Sequence, residues 1–322
     1  MVSFDENMII WGGNMLVSTN QLVDKELYDL FVYYLDAFPS TVEMYSKCLK
    51  YFFNFLKENK IKKPDRKDVL DFREKLVING KKPTTIQNYI NAVKAFFRWT
   101  HQERLYPNIA ERVKVPKLDP GYKKDYLTSA QVKEVLANID INSERGARDY
   151  AMLLLMVTDG LRTMEVSKAN IEDIRNIGDN TVLYVQGKGK HDKNDFVKLT
   201  PPVEKAIRTY LKYRPSASDD EPLFSSTSNH NFGLRLTPKS ISTVAKKAMV
   251  SVGYDSPRLT AHSFRHTAVT LSLIAGRGLT EVQQFARHSN VSSTLIYDHS
   301  LEKIKNGCSE TISRMIFGEN LS

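Results

Sequence analysis

Cysteine is almost absent from this chain: Cys48 and Cys308 are the only two among 322 residues, and they stand far apart. Two such thiols make no disulfide framework, and they fit a reducing cytoplasm. No apolar run approaches the roughly eighteen residues that a membrane helix needs. The N-terminal stretch MVSFDENMIIWGGNMLVSTN has an acidic start and one short apolar run, Met8 to Trp11, which is neither a signal peptide nor a membrane anchor. A P-loop, a Cys-x-x-Cys pair, internal repeats and low-complexity segments are also missing from the sequence. Nucleotide hydrolysis, a zinc ribbon and a solenoid are therefore poor descriptions of it. With 41% hydrophobic and 26% charged residues, the chain reads as soluble and globular, and its length suits two domains.

What the chain does have is basic charge in one place. The net charge is +9, and residues 40–117 hold 18 lysines and arginines against 8 acidic residues, so this segment carries the whole excess. A localised basic surface points to a polyanion, since neutralising phosphates releases condensed counterions.

Residues 21–115 read as helical throughout. In STVEMYSKCLKYFFNFLKENK, Tyr45, Leu49, Phe52 and Leu56 share a face, Lys47, Lys50, Asn54 and Lys57 fall on another, and Ser40 or Thr41 is the expected N-cap. In KKPTTIQNYINAVKAFFRWTHQE, Ile86, Ile90, Val93 and Phe97 form the buried stripe, which leaves Asn88, Asn91, Lys94 and Arg98 to face outward. Amide and cationic faces of this kind suit groove and phosphate contacts. The stretch 116–127, with its prolines and glycine, reads as a linker ending at a helix start near Thr128. Beyond it the composition changes. ARDYAMLLLMVTDGLR is an almost wholly apolar, hence buried, helix; TVLYVQGKGKHDKNDFVKLT gives two strands around a Gly-Lys-Gly-Lys turn. Helices follow over 202–213, 238–252, 261–275 and 280–287. The second domain, 128–322 with a tail over about 300–322, is thus mostly α with a small sheet.

Four places in this domain can carry chemistry. Arg162 ends a buried helix and needs an anion or a carboxylate, which Glu165 can supply. Lys188 and Lys190 sit in the hairpin turn, where a lysine is ordinarily just solvated. His262 shares a helix face with Arg265 and with His266. A zinc reading of the two histidines, as in a metal hydrolase, has little support, because Ser263 stands where a zinc-protease helix has glutamate and no Cys-x-x-Cys pair or acidic cluster lies near. His288 and Tyr297 flank a helix start at Ser292 or Ser293.

Taken in order, TDGLRTMEV, VQGKGKHDKNDFVKLT, AHSFRHTAVT and ARHSNVSSTLIYDHS resemble the tyrosine recombinase (phage integrase) family, Xer-like or mobile-element integrases without a separate arm-binding domain. The resemblance implies a mainly α, two-domain fold. An all-helical core-binding (SAM-like) domain over 21–115 would join a catalytic domain with a small antiparallel sheet, together clamping duplex DNA, behind an N-terminal extension over 1–20. It implies that Arg162 and Arg265 hold the scissile phosphate, that His262 exchanges a proton with the tyrosine, and that His288 donates to the phosphate. Lys188, or Lys190 should the register differ, would protonate the departing 5′ oxygen. Tyr297 would be the nucleophile, forming a 3′-phosphotyrosyl link, with Glu165 orienting Arg162. No metal, ATP or other cofactor is expected. Partners would be double-stranded DNA and a homotetramer on paired sites, in the cytoplasm of a prokaryotic cell with its nucleoid. Ile312, Met315 and Ile316 would let the tail dock on a neighbouring protomer.

The chain departs from the family at Ala286 and Arg287, where Leu-Gly often precedes the histidine; Arg287 could offer an extra phosphate contact. The residues leave open integration and excision of a mobile element, Xer-type dimer resolution, and DNA inversion. A topoisomerase-like nicking-closing enzyme and a non-catalytic DNA-binding scaffold are the rivals of other classes.

Overall fold

The computed structural model describes residues 9–11, 14–16, 25–117, 125–187 and 189–317, and the structural statements below concern these residues. The chain divides into two compact units, Met1–Asp119 and Pro120–Ser322. The stretch expected as a linker spans that division, and residues 118–124 of it lie outside the described set. Much of the expected 1–20 extension lies outside it as well; two short strands there, β1 (Ile9–Trp11) and β2 (Asn14–Leu16), pair antiparallel with Trp11 opposite Asn14.

The first unit holds the helices Lys25–Leu35, Pro39–Glu58, Arg66–Ile78 and Pro83–Gln102. Its core is aromatic. Phe31, Phe52, Phe72, Phe96 and Phe97 are fully buried. Phe52 meets Phe72 edge-on at 5.0 Å and Phe31 meets Phe96 at 5.2 Å, the arrangement that ring quadrupoles favour. Leu49, Phe52 and Leu56 are buried as their spacing requires, as are Ile86, Ile90, Val93 and Phe97. The helix expected to be capped by Ser40 or Thr41 starts earlier, at Pro39, with Phe38 in the cap position and no side-chain cap. The reason is proline itself: its fixed φ and missing N–H suit the first helical position. Pro83 starts its helix in the same way. Arg66–Ile78 uses a side-chain cap instead, Asp65 accepting from the amides of Lys67 at 2.7 Å and Asp68 at 3.2 Å.

In the second unit the apolar helix Glu144–Thr158 runs through the core, with Met152, Leu153 and Leu155 fully buried. Around it lie Ser129–Ala137, capped by Thr128, and Pro201–Leu211, Pro238–Val250 and Ala261–Ile274. The sheet has three antiparallel strands in the order β3 (Ile174–Ile177), β4 (Asn180–Val185), β5 (Asp195–Lys198). The sequence pointed to β4 and β5 only. The extra strand, Ile-Arg-Asn-Ile, is largely exposed, so no buried alternation marks it. Gly178, at φ +56°, turns the chain back through a two-residue loop that pairs Ile177 with Asn180. Near the end of the chain come Leu279–Ala286, Ser292–Lys305 and Cys308–Phe317. No helix among the described residues is long and apolar enough to cross a membrane.

Phe72→Ala removes a ring that touches both Phe52 and Phe55. It should lower the stability of the first unit by about 3–5 kcal/mol, read as a shifted midpoint in urea denaturation of the intact protein.

Candidate active site

The second unit gathers its candidate residues from segments far apart in sequence. The first segment leaves the helix Glu144–Thr158 through Asp159, Gly160 and Leu161, and enters the short helix Thr163–Lys168 with Arg162 at its cap. Gly160 has φ +61°, and a Cβ there would stand 3.2 Å from the Phe285 ring and 3.6 Å from Ala268. Only glycine brings this loop so close to the helices bearing Arg265 and Ala286.

Glu165 lies at the centre, 1% exposed. One carboxylate oxygen accepts from the Arg162 guanidinium at 2.6 Å, and the other accepts from the Arg162 amide at 2.8 Å. Arg265, also 1% exposed, stands 4.0 Å from the second oxygen. Its guanidinium donates to the carbonyls of Gly160 and Ala286, so it braces the loop against the corner that follows Leu279–Ala286.

At that corner Arg287 adopts φ +51° and ψ +45°. The suggested extra phosphate contact is not what the structure places here. The guanidinium is 5% exposed and turns inward, to the second oxygen of Glu165 at 3.0 Å. Burial draws it there, because a desolvated guanidinium needs a carboxylate. His288 follows. Its Nδ1 meets the buried Thr294 hydroxyl at 2.8 Å, while Gln283 receives its amide at 3.1 Å and donates to its carbonyl at 3.2 Å.

Tyr297 is 6% exposed and packs in a small apolar cluster with Val269, Leu273, Val282 and Ala286. Its hydroxyl contacts Nδ1 of His266, a residue for which sequence reasoning had no role beyond a rejected metal pair. His262, the histidine expected to exchange a proton with Tyr297, is exposed and packs edge-on against His266 at 4.3 Å between ring centres. His266 thus packs against both rings. Position 266 falls in the buried run from Ser263 to Thr270, whereas 262 does not, a difference that the i,i+4 spacing of the two histidines does not show.

Lys188 lies outside the described residues. Lys190 is 3.4 Å from Asp195 in the same hairpin, whose turn is closed by Gln186 donating to the carbonyls of Lys190 at 2.6 Å and His191 at 2.9 Å. In the first unit Lys47, Lys50, Asn88, Asn91 and Arg98 are exposed and Lys94 is half-buried. Lys47 is paired with Glu43 at 2.6 Å, a solvent-exposed contact of the kind that yields readily. No three His, Cys, Asp or Glu side chains among the described residues are grouped so as to hold a metal ion.

Residues 125–303 match the profile of the phage integrase family, and residues 36–104 match that of the phage integrase N-terminal SAM-like domain. The chain belongs to the phage integrase family. A tyrosine recombinase of Synechococcus elongatus is 25% identical over 300 residues, covering 93% of this chain and 90% of that protein. Tyrosine recombinase XerC of Chlamydia trachomatis serovar L2 is 30% identical over 222 residues, 69% of this chain and 68% of that one. Among solved structures, the XerH site-specific recombinase bound to its palindromic difH substrate, a post-cleavage complex, superposes with a TM-score of 0.68 at 20% identity, over 84% of this chain and 80% of that one. That likeness concerns the fold, which is the mainly helical tyrosine recombinase fold with a small antiparallel sheet.

The charges of this recombinase act on one another. Burial raises the Glu165 carboxyl, but Arg287 first, then the Arg162 amide and guanidinium and Arg265, bring it below its usual range. Burial, with the neighbouring Arg162, pulls Arg265 down to about 9, so it stays charged at neutral pH. His288 is pulled down to about 4 by burial and by Arg265 and Arg162, which keeps it neutral. Asp159 is pushed up to about 6 by burial, against a hydrogen bond from Thr158 and the charge of Arg287.

The last two groups have opposite effects on stability. Asp159 binds its proton more tightly folded than unfolded, so it adds stability as pH falls from about 6 to about 4. His288 resists its proton when folded, so it removes stability between about 6.5 and about 4. Asp159→Asn should therefore lose more stability than the parent between about pH 7.5 and 4.5, measured by urea denaturation at both values.

Proposed function

We propose that this chain cuts and rejoins duplex DNA at specific sites through a 3′-phosphotyrosyl intermediate on Tyr297. The observation that carries this is the meeting of two arginines on Glu165 in the same unit that packs Tyr297 against His266, with His288 near its ring. Arg162 and Arg265 hold the non-bridging oxygens of the scissile phosphate. Planar guanidinium forks suit a phosphate that gains charge in the transition state. His288, with Nδ1 on Thr294, turns its other ring nitrogen to that phosphate as a neutral donor.

A phenol with a pKa near 10 is a weak nucleophile until its proton is taken. In our reading the proton leaves Tyr297 through the histidine pair, passing His266 and with His262 as the solvent-side partner, while the phenolate oxygen bonds to phosphorus. The bond from phosphorus to the 5′ oxygen breaks, and Lys188, with Lys190 as its neighbour in the turn, supplies the proton that makes the 5′ hydroxyl. Rejoining runs the same transfers backwards. One phosphodiester replaces another, so no nucleotide is hydrolysed and no metal is called for.

DNA is the natural partner. The known structures that share this fold include DNA complexes, and the basic residues 40–117 offer Lys47, Lys50, Asn88, Asn91, Lys94 and Arg98 for phosphate and groove contacts. We assign 21–115 as the core-binding domain, 116–127 as the linker and 128–322 as the catalytic domain with its tail. The tail helix Cys308–Phe317 has no buried residue, and Ile312, Met315, Ile316 and Phe317 are exposed. This supports docking on a neighbouring protomer in a DNA-bound tetramer rather than packing in cis. Strand exchange then serves integration and excision of a mobile element, and Xer-type resolution is compatible with the Xer names among the relatives.

A pool of nicked suicide duplexes with randomised sequence, incubated with the protein with and without EDTA, tests the chemistry. Covalent adduct should form in both conditions with the parent and be absent with Tyr297→Phe; adduct from Tyr297→Phe would sink the assignment. On the duplex so recovered, His266→Asn, which keeps a hydrogen-bonding group near the phenol but cannot take its proton, should slow adduct formation by about 100-fold or more in single-turnover assays. An unchanged rate would remove His266 from the proton path.

A further inference from the structure

Arg287 breaks a local rule and is held in place by the site. It sits at the end of Leu279–Ala286 in the left-handed region, where a Cβ crowds the carbonyl and glycine is the usual occupant. Nothing about the turn itself favours arginine. Its side chain explains the choice: it is almost fully buried and reaches into the cluster that holds Arg162 and Arg265. One terminal nitrogen donates to Glu165 at 3.0 Å and to the Gly160 carbonyl at 3.2 Å. The other donates to the carbonyl of Phe285 at 2.9 Å and reaches that of Asp159 at 3.5 Å. Its Nε is buried without an acceptor among the described residues, so the geometry is set by the two terminal nitrogens.

The backbone of the same corner serves the other two arginines. The Arg287 carbonyl accepts from Arg162 at 3.3 Å, and the Ala286 carbonyl accepts from Arg265. Arg287 and Arg265 share the Gly160 carbonyl as well. Glu165 is therefore one negative charge serving three guanidiniums. Arg162 takes its first oxygen; the Arg162 amide and Arg287 take its second; and Arg265 is left at 4.0 Å. Were Arg287 absent, that second oxygen would be open to Arg265, and a close pair there would draw the guanidinium off a phosphate.

We propose that Arg287 is a positioning residue of the cleavage site: by occupying Glu165 and pinning the corner at residues 286 and 287, it keeps Arg265, which the Gly160 and Ala286 carbonyls hold in place, from closing onto the carboxylate, so that its remaining N–H groups can meet the phosphate, and it fixes where His288 departs. This rests on the reading of the site given above. Arg287 touches no reacting atom and acts through Glu165 and the corner.

Arg287→Gly is the decisive variant, since glycine accepts the positive φ and removes only the side chain. On the duplex recovered with the parent protein, it should bind with affinity within about threefold of the parent. Its single-turnover rate of adduct formation should fall by about 10- to 100-fold, the scale of a misplaced reacting group. Arg287→Lys, which keeps a cation on Glu165 without the fork, should recover part of the rate. In a cycle with Glu165→Gln, the two losses should be less than additive, because both act through one contact. A parent-like rate for Arg287→Gly would overturn the proposal. So would losses that add fully, or a fall in rate that follows melting temperature and is not recovered by lysine. Should Arg287→Gly fail to fold, Arg287→Lys and the Glu165 cycle built on it decide by the same criteria. Adduct persisting in Tyr297→Phe would instead refute the underlying assignment of the site, whatever Arg287 does.

Discussion

A single buried carboxylate organises the catalytic unit. Glu165 lies where water cannot reach it, and it is tolerable there only because positive charge and a backbone amide surround it. The same is true in reverse of the guanidiniums, which would be hard to bury without it. Arg162 arrives from the end of the core helix, Arg265 from the helix Ala261–Ile274, and Arg287 from the corner after Leu279–Ala286. Removing the carboxylate would leave mutually repelling cations in a dry site, so three segments far apart in sequence depend on one side chain for their mutual position.

That arrangement keeps the site positive while neutralising only part of it. Three guanidiniums against one carboxylate leave a surplus of charge that an incoming phosphate can meet. Preorganised positive charge of this kind needs no rearrangement when negative charge builds on a phosphate oxygen. His288 fits the same logic: burial first, and then the cations that would welcome a phosphate, suppress the protonation of the imidazole and leave it neutral.

Much of this was legible in the chain. The basic helical segment, the apolar helix before Gly160, the start at Thr128 and the β4–β5 hairpin follow from periodicity, capping and turn chemistry. So did the contact between Arg162 and Glu165, three apart at a helix start. What escaped has physical causes. β3 is short and exposed, so it carries no alternation. The start at Pro39 was missed because a hydroxyl cap was sought where proline's own geometry sets the boundary. His262 and His266 share a face in sequence, and only packing shows that the second is inside and the first outside. Arg287 was unreadable because a linear sequence does not show a positive φ, nor that a cation will fold back on a carboxylate more than a hundred residues upstream.

Tyr297 has two separable parts. Its ring belongs to the packing of Val269, Leu273, Val282 and Ala286, and its oxygen meets Nδ1 of His266, where the proposed reaction would use it. The fold therefore has little stake in the atom that the proposed reaction needs. On that proposal, a lineage carrying this chain could be silenced by the loss of one oxygen while the packing around the ring, the basic surface and the exposed tail helix persist. Such a silent copy would keep the basic surface proposed to meet DNA and the tail proposed to meet a neighbour, and would so compete with its active siblings. Inactivity in this architecture is a short step away, and it yields a competitor in place of an absence.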